Sequence, residues 1–193
     1  MPRLFTGLEI PSGIAERLTL FRGGLPGARW VEPSDYHITL RFLGEVDGRL
    51  AADLDAGLAE ARARAPLTVT LDGLASFGGD RPRAVIASVR LTPDLADLKE
   101  EHERIARRAG AEPESRRFTP HVTLARLNRE ADAGAVARYL TEAGVFAPLT
   151  FTAERAALYS ARTSRGGGPY LVEAAYPFGL GDGLGDGLDE DED

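Results

Sequence analysis

Cysteine is absent from the 193 residues, which excludes disulfides and thiolate metal sites. No apolar run approaches the ~20 residues that a membrane helix needs. The opening Met1-Pro2-Arg3-Leu4-Phe5 leads into an alternating strand pattern rather than the apolar stretch of a secretory leader. We therefore expect a cytoplasmic protein with no membrane association. Lysine is nearly absent as well: Lys99 stands alone among 23 basic residues, and the others are arginine. Arginine forks match phosphate oxygens, but an Ala/Arg/Gly-rich coding bias yields the same excess, so each arginine has to be argued by position. The net charge of −7 is local. Residues 179–193 hold seven acids and no base, and residues 1–178 sum to zero. That Gly-rich acidic tail is expected to be disordered. With 43% hydrophobic residues, the rest is long enough for one domain or two small lobes at about 150 residues per domain.

Residues 2–9 alternate like a strand, and Ile14, Leu18 and Phe21 share a helical face within 12–22. Gly23, Gly24, Pro26 and Gly27 mark a loop. Residues 36–46 read as a strand, 49–64 as a helix with a Leu50, Leu54, Leu58, Ala61 stripe, and 67–76 and 82–91 as strands joined by a turn at 77–81. Thr92-Pro93 starts a helix bearing Leu95, Leu98, His102, Ile105 and Ala109, with Gly110 as its stop. A strand at 117–127, a helix at 130–143, and strands at 149–161 and 169–177 complete the order. Gly166-Gly167-Gly168, between the last two, reads as a hairpin turn or, alternatively, a phosphate-binding nest.

This order is β-α-β-α-β-β twice, the second copy beginning at residue 82. His37-Ile38-Thr39-Leu40-Arg41-Phe42-Leu43 matches His121-Val122-Thr123-Leu124-Ala125-Arg126-Leu127 at four of seven positions. The expected fold class is α+β: two pseudo-symmetric lobes, units 2–81 and 82–178, with mainly antiparallel sheets around a central cleft.

Two of the three histidines occupy equivalent places in this repeat. On a strand, residues i and i+2 point the same way, so His37 shares a face with Thr39, and His121 with Thr123. Across a pseudo-twofold axis, two imidazoles and two hydroxyls would face one small volume. That set suits phosphodiester chemistry. A neutral imidazole deprotonates water, an imidazolium protonates the leaving alkoxide, and hydroxyls donate to the charged phosphate oxygens. No cofactor or metal is called for; a zinc site with His102 as third ligand is the competing reading. His102 itself reads as a boundary residue of its helix. Phe42 and Arg126 each follow their histidine by five positions and could sandwich a nucleobase, although strict alternation turns an odd offset away unless the strand bulges. Core packing is the other reading for Phe42. Arg41 has the right parity and is a candidate phosphate cation.

The segments HITLRFLGEV and FTPHVTLARL resemble the paired His-x-Thr motifs of the two-histidine phosphoesterases, in particular the LigT-like RNA 2′,3′-cyclic phosphodiesterases formerly called 2′-5′ RNA ligases. RLFTGLEIP and TSRGGGPY are similar to the same branch, and the resemblance spans about residues 2–178. It implies a bilobal α+β domain that hydrolyses a 2′,3′-cyclic phosphate to a 2′-phosphomonoester. It also implies His37 as proton donor to the leaving oxygen, His121 as proton acceptor from water, and Thr39 and Thr123 as phosphate holders. RNA ends or small cyclic nucleotides would be the substrates of a monomer without an obligate protein partner. A 2′-5′ ligase and a non-catalytic RNA-end binding module are the alternatives.

Overall fold

The computed structural model describes residues 3–161 and 169–179. The triglycine turn and residues 180–193 of the acidic tail lie outside the described residues. Nine strands form a single antiparallel sheet: β1 (Arg3–Glu9), β2 (Ala28–Trp30), β3 (His37–Glu45), β4 (Leu67–Phe77), β5 (Ala84–Val89), β6 (His121–Leu127), β7 (Leu149–Ala153), β8 (Arg155–Ala161) and β9 (Tyr170–Pro177). Their order is β7-β4-β5-β6-β3-β1-β8-β9, with β2 paired to β6. Among the described residues there are also four α-helices, α1 (Ser12–Thr19), α2 (Gly48–Ala59), α3 (Pro93–Arg108) and α4 (Ala133–Glu142). Three of them carry side-chain caps: Asp47, Thr92 and Asp132 accept from the backbone N–H three residues on, satisfying donors that the helix itself cannot.

All four helices lie on one face. Ala15 and Leu18 of α1 and Leu95 and Leu98 of α3 pack against Ile38, Leu40, Val122 and Leu124. Leu54 and Leu58 of α2 join Ile105, Leu4 and Leu158, and Val136 and Tyr139 of α4 cover Val85 and Ala125. The face bearing the histidines is left without helices. Strands β3 and β6 are in register at the single pair Ile38↔Val122, and the two halves of the sheet open from that point.

Three departures from the sequence reading concern the layout of the fold. Residues 149–161 form two strands, not one: β7 pairs with β4, and β8 lies across the sheet against β1. The burial pattern carries the reason, alternating through Leu149–Ala153 and then almost continuously buried through Arg155–Ala161, as a half-exposed edge strand and a central strand require. Strand β2 falls between the Gly23–Gly27 loop and the strand at 36–46, where the sequence reading places no element; it is three residues long and too short to show a period. His102 is no boundary residue. It is 3% exposed, and its Nδ1 lies 2.8 Å from the Thr6 hydroxyl of β1.

Candidate active site

The site begins where β3 and β6 meet. If the Ile38↔Val122 register is continued one residue each way, His37 stands opposite Thr123 and Thr39 opposite His121. Ile38 and Val122, both fully buried, anchor the platform from behind. Gly7, paired with Thr39, is required by close approach: a Cβ there would sit 2.5 Å from the Ile38 carbonyl oxygen.

Both imidazoles are held in the same way. The Nδ1–H of His37 donates to the Asp35 carbonyl at 2.7 Å, and that of His121 to the Thr119 carbonyl, also at 2.7 Å. A carbonyl only accepts, so each ring carries its proton on Nδ1 and leaves Nε2 to take or give one. The rings are also flanked by aromatics that sequence reasoning missed. Phe5 lies 4.7 Å and Tyr170 4.9 Å from the His37 centroid, with Tyr159 at 5.5 Å, and Phe77 meets His121 edge-on at 4.7 Å. Those aromatics come from β1, β4, β8 and β9, remote in sequence from either motif; only the finished sheet order brings them in. Desolvation is the first cause that pushes both imidazoles below their ordinary pKa, His37 to about 4, despite the opposing hydrogen bonds to the backbone. The charge of Arg126 acts on both rings in the same direction.

Paired bulges set the far end of each motif. Along β3 the register passes from Gly7↔Thr39 to Thr6↔Arg41, leaving Leu40 as the extra residue. Along β6 it passes from Ile86↔Thr123 to Val85↔Ala125, leaving Leu124 extra. Each bulge reverses the alternation once. Phe42 and Arg126 thereby turn to the histidine face despite their odd offset. Phe42 joins Phe5, Tyr159 and Tyr170 there, with the Arg3 guanidinium 5.0 Å above its ring. The same reversal corrects the reading of Arg41 as a phosphate cation. Arg41 turns to the helix side, 5% exposed, where its Nε is 2.5 Å from Glu103 and its guanidinium also donates to the Phe42 and Glu112 carbonyls. Phe42, Arg126, the histidines and the threonines thus share one face, and Arg41 is excluded from it.

The histidine face therefore carries aromatic rings of β1, β3, β8 and β9 on the His37 side, and Phe77 of β4 with the Arg126 guanidinium of β6 on the His121 side. No described group of three or more His, Asp or Glu side chains is arranged to hold a metal ion.

Comparisons with known proteins bear on the fold and the family. The family model of the 2′-5′ RNA ligase superfamily matches residues 10–165. The chain is 39% identical over 123 residues to the RNA 2′,3′-cyclic phosphodiesterase of Aeropyrum pernix, covering 63% of this chain and 69% of that protein. It is 34% identical over 134 residues to the protein of the same name from Escherichia coli, covering 67% and 74%. Among solved structures, E. coli LigT complexed with 3′-AMP superposes with a TM-score of 0.73 at 24% identity, over 93% of this chain and all of that one. A Thermus thermophilus protein gives 0.72 at 25% identity, over 91% and 97%. Helices on one face, a nine-stranded antiparallel sheet opened at its middle, two His-x-Thr strands at the opening and a family match across most of the length lead to one assignment: the chain belongs to the 2′-5′ RNA ligase superfamily, the two-histidine phosphoesterases.

Proposed function

We propose that the protein is an RNA 2′,3′-cyclic phosphodiesterase, which opens the cyclic phosphate at an RNA end to a 2′-phosphomonoester. The observation that carries this is the matched tethering of His37 and His121 through Nδ1 on strands paired at Ile38↔Val122, which leaves both Nε2 atoms available for proton transfer. His121 Nε2 takes a proton from water as the oxygen attacks phosphorus. The P–O3′ bond breaks, and a proton on His37 Nε2 passes to O3′. The proton lost at one ring equals the proton gained at the other, and proton exchange with water restores a protonated His37 and a neutral His121 before the next turnover. Each transfer is worth about 10²–10⁴-fold. Thr39 and Thr123 donate to the non-bridging oxygens as charge builds there. The aromatic wall containing Phe42 receives the nucleobase, with stacking worth about 1–3 kcal/mol, and Arg126 binds the substrate's anionic side.

Joining of 2′-5′ ends is not favoured, since the relatives described above carry phosphodiesterase names. The intact histidine–threonine set argues for turnover over mere binding. Among the described residues no helix is long and apolar enough to cross a membrane; we assign the protein to the cytoplasm, acting as a monomer. The test is product analysis on an RNA ending in a 2′,3′-cyclic phosphate. A 2′-phosphate is expected. A 3′-phosphate would reverse the leaving group and with it the assignment, and an unchanged end would overturn the reading.

A further inference from the structure

The two histidines are tethered alike, but by unlike residues. Asp35 and Thr119 each stand two positions before their histidine and lend the same carbonyl to its ring. Thr119 is neutral, whereas Asp35 carries a carboxylate. Asp35 ends the 3₁₀ turn Pro33–Asp35, where its N–H donates to the Glu32 carbonyl at 2.8 Å. From that seat its Oδ1 accepts the Tyr170 N–H at 3.1 Å, across 135 positions of sequence. Tyr170 is the first residue of β9, and its ring meets both His37 and Phe5 edge-on, at 4.9 and 5.1 Å. One residue thus fixes the His37 ring through its main chain and the wall against that ring through its side chain.

The same carboxylate favours a proton on His37. Desolvation is the first cause that lowers this imidazole; His121 and Arg126 add to the lowering, and Asp35 opposes it. Glu9 lies opposite His37 on β1, but Arg155 of β8 takes both of its oxygens. Tyr159 of β8 and Tyr170 of β9 are the phenols against the ring. On His121 the backbone hydrogen bond opposes desolvation and Arg126 adds to the lowering, and Thr119 offers no charge. A nearby carboxylate stabilises an imidazolium. A proton donor has to start as one, and a proton acceptor has to start neutral.

We infer that Asp35 is a positioning residue of the reaction: it ties the His37 ring and the Tyr170 wall into one unit and places a negative charge on the proton donor's side. The inference rests on the cyclic phosphodiesterase reading with His37 as donor, and adds to it a residue that makes the two halves of the repeat unequal. Asp35 is assigned no contact with the reacting atoms; it acts through His37 and Tyr170.

The test uses an RNA ending in a 2′,3′-cyclic phosphate and two variants. Asp35→Asn removes the charge and keeps an acceptor for the Tyr170 N–H, Asp35→Ala removes both, and the carbonyl on His37 remains in each. The alkaline arm of kcat/KM follows the fraction of His37 that is protonated, and the acid arm the fraction of His121 that is neutral. Asp35→Asn should therefore lower the alkaline arm about three- to tenfold and leave the acid arm within about twofold of the parent. An equal drop on both arms, or none on either, would overturn the role of the charge, because a merely structural fault lowers both together. Asp35→Ala should also lower the acid arm, about tenfold, as the ring and its wall part; an acid arm matching that of Asp35→Asn would overturn the tie to Tyr170. An acid arm that rises in Asp35→Asn, with the alkaline arm unmoved, would make His37 the acceptor and overturn the reading beneath the inference. Should the unmodified protein turn over no cyclic phosphate, the catalytic reading fails by itself. Imidazole titrations followed by NMR then decide Asp35 separately. In Asp35→Asn the His37 midpoint should move acidward by about half to one pH unit, with that of His102, on the helix side of the sheet, in place. A His37 midpoint that stays, or moves together with that of His102, would overturn the inference.

Discussion

His37 and His121 are equivalent by register and tethering, yet their surroundings differ, and that difference can be measured. His37→Ala and His121→Ala should each lower kcat by at least ~10² with the fold retained, as circular dichroism and steady-state kinetics on a cyclic-phosphate substrate would show. The pH profile follows from burial. Both imidazoles are pushed below 6.5 in the free protein, His37 to about 4. The active form carries one proton on the pair, so kcat/KM, which reports the free enzyme, should peak on the acid side of 6.5. A bound phosphate anion favours the imidazolium, so the kcat peak should lie at higher pH than that of kcat/KM. Coincident peaks, or the reverse order, would show that the anion does not restore the lost proton. His-x-Thr pairs at matching places in a repeat are visible in the chain; the depression of both rings is not, because Phe5, Phe77, Tyr159 and Tyr170 reach them only through tertiary pairing.

The side chains of β3 and β6 beyond the threonines owe their directions to an extra residue in each, Leu40 and Leu124. An odd offset from histidine to Phe42 or Arg126 hints at this, since both become useful only if the strand slips once. Which side of the slip Arg41 takes is decided by Glu103 and Glu114, its partners across the helix layer, and no local pattern announces them. Leaving those carboxylates without their cation should cost about 3–5 kcal/mol in Arg41→Ala, read from urea unfolding, while kcat per folded molecule stays near that of the parent. A loss of kcat with stability unchanged would return Arg41 to the cleft. Elements with a full period were legible: α3 was bracketed by Thr92-Pro93 and Gly110, and the structure gives Pro93–Arg108. Elements without one were not. Strand β2 has three residues between glycines and a proline, and the division at Glu154 separates two strands by a single residue.

At the scale of the molecule, buried histidines couple folding to acidity. His102 is held to about 4 by burial, and His37 likewise. The unfolded chain takes up protons from about pH 6.5 downward, whereas the folded one resists until about 4. Their contribution to stability is therefore complete above about 6.5 and lost as the pH falls toward 4, on the order of 3 kcal/mol for His102. Urea midpoints should drop between about pH 7 and pH 5, and His102→Gln should flatten that slope; an unaltered slope would show that His102 does not drive it. The α+β class and the antiparallel sheet were readable from element order, but not the way the repeats are interwoven. Strand β4, from the first repeat, completes the half built on β5 and β6, while β8, from the second, completes the half built on β1 and β3. Neither half of the molecule is made by one stretch of chain. Cut between residues 81 and 82, the protein should yield two pieces that are each unable to fold alone, since each holds strands whose neighbours are on the other. Mixed together, they should regain structure and cyclic-phosphate hydrolysis in one concentration-dependent step, so that here a duplicated sequence behaves as a covalently joined heterodimer.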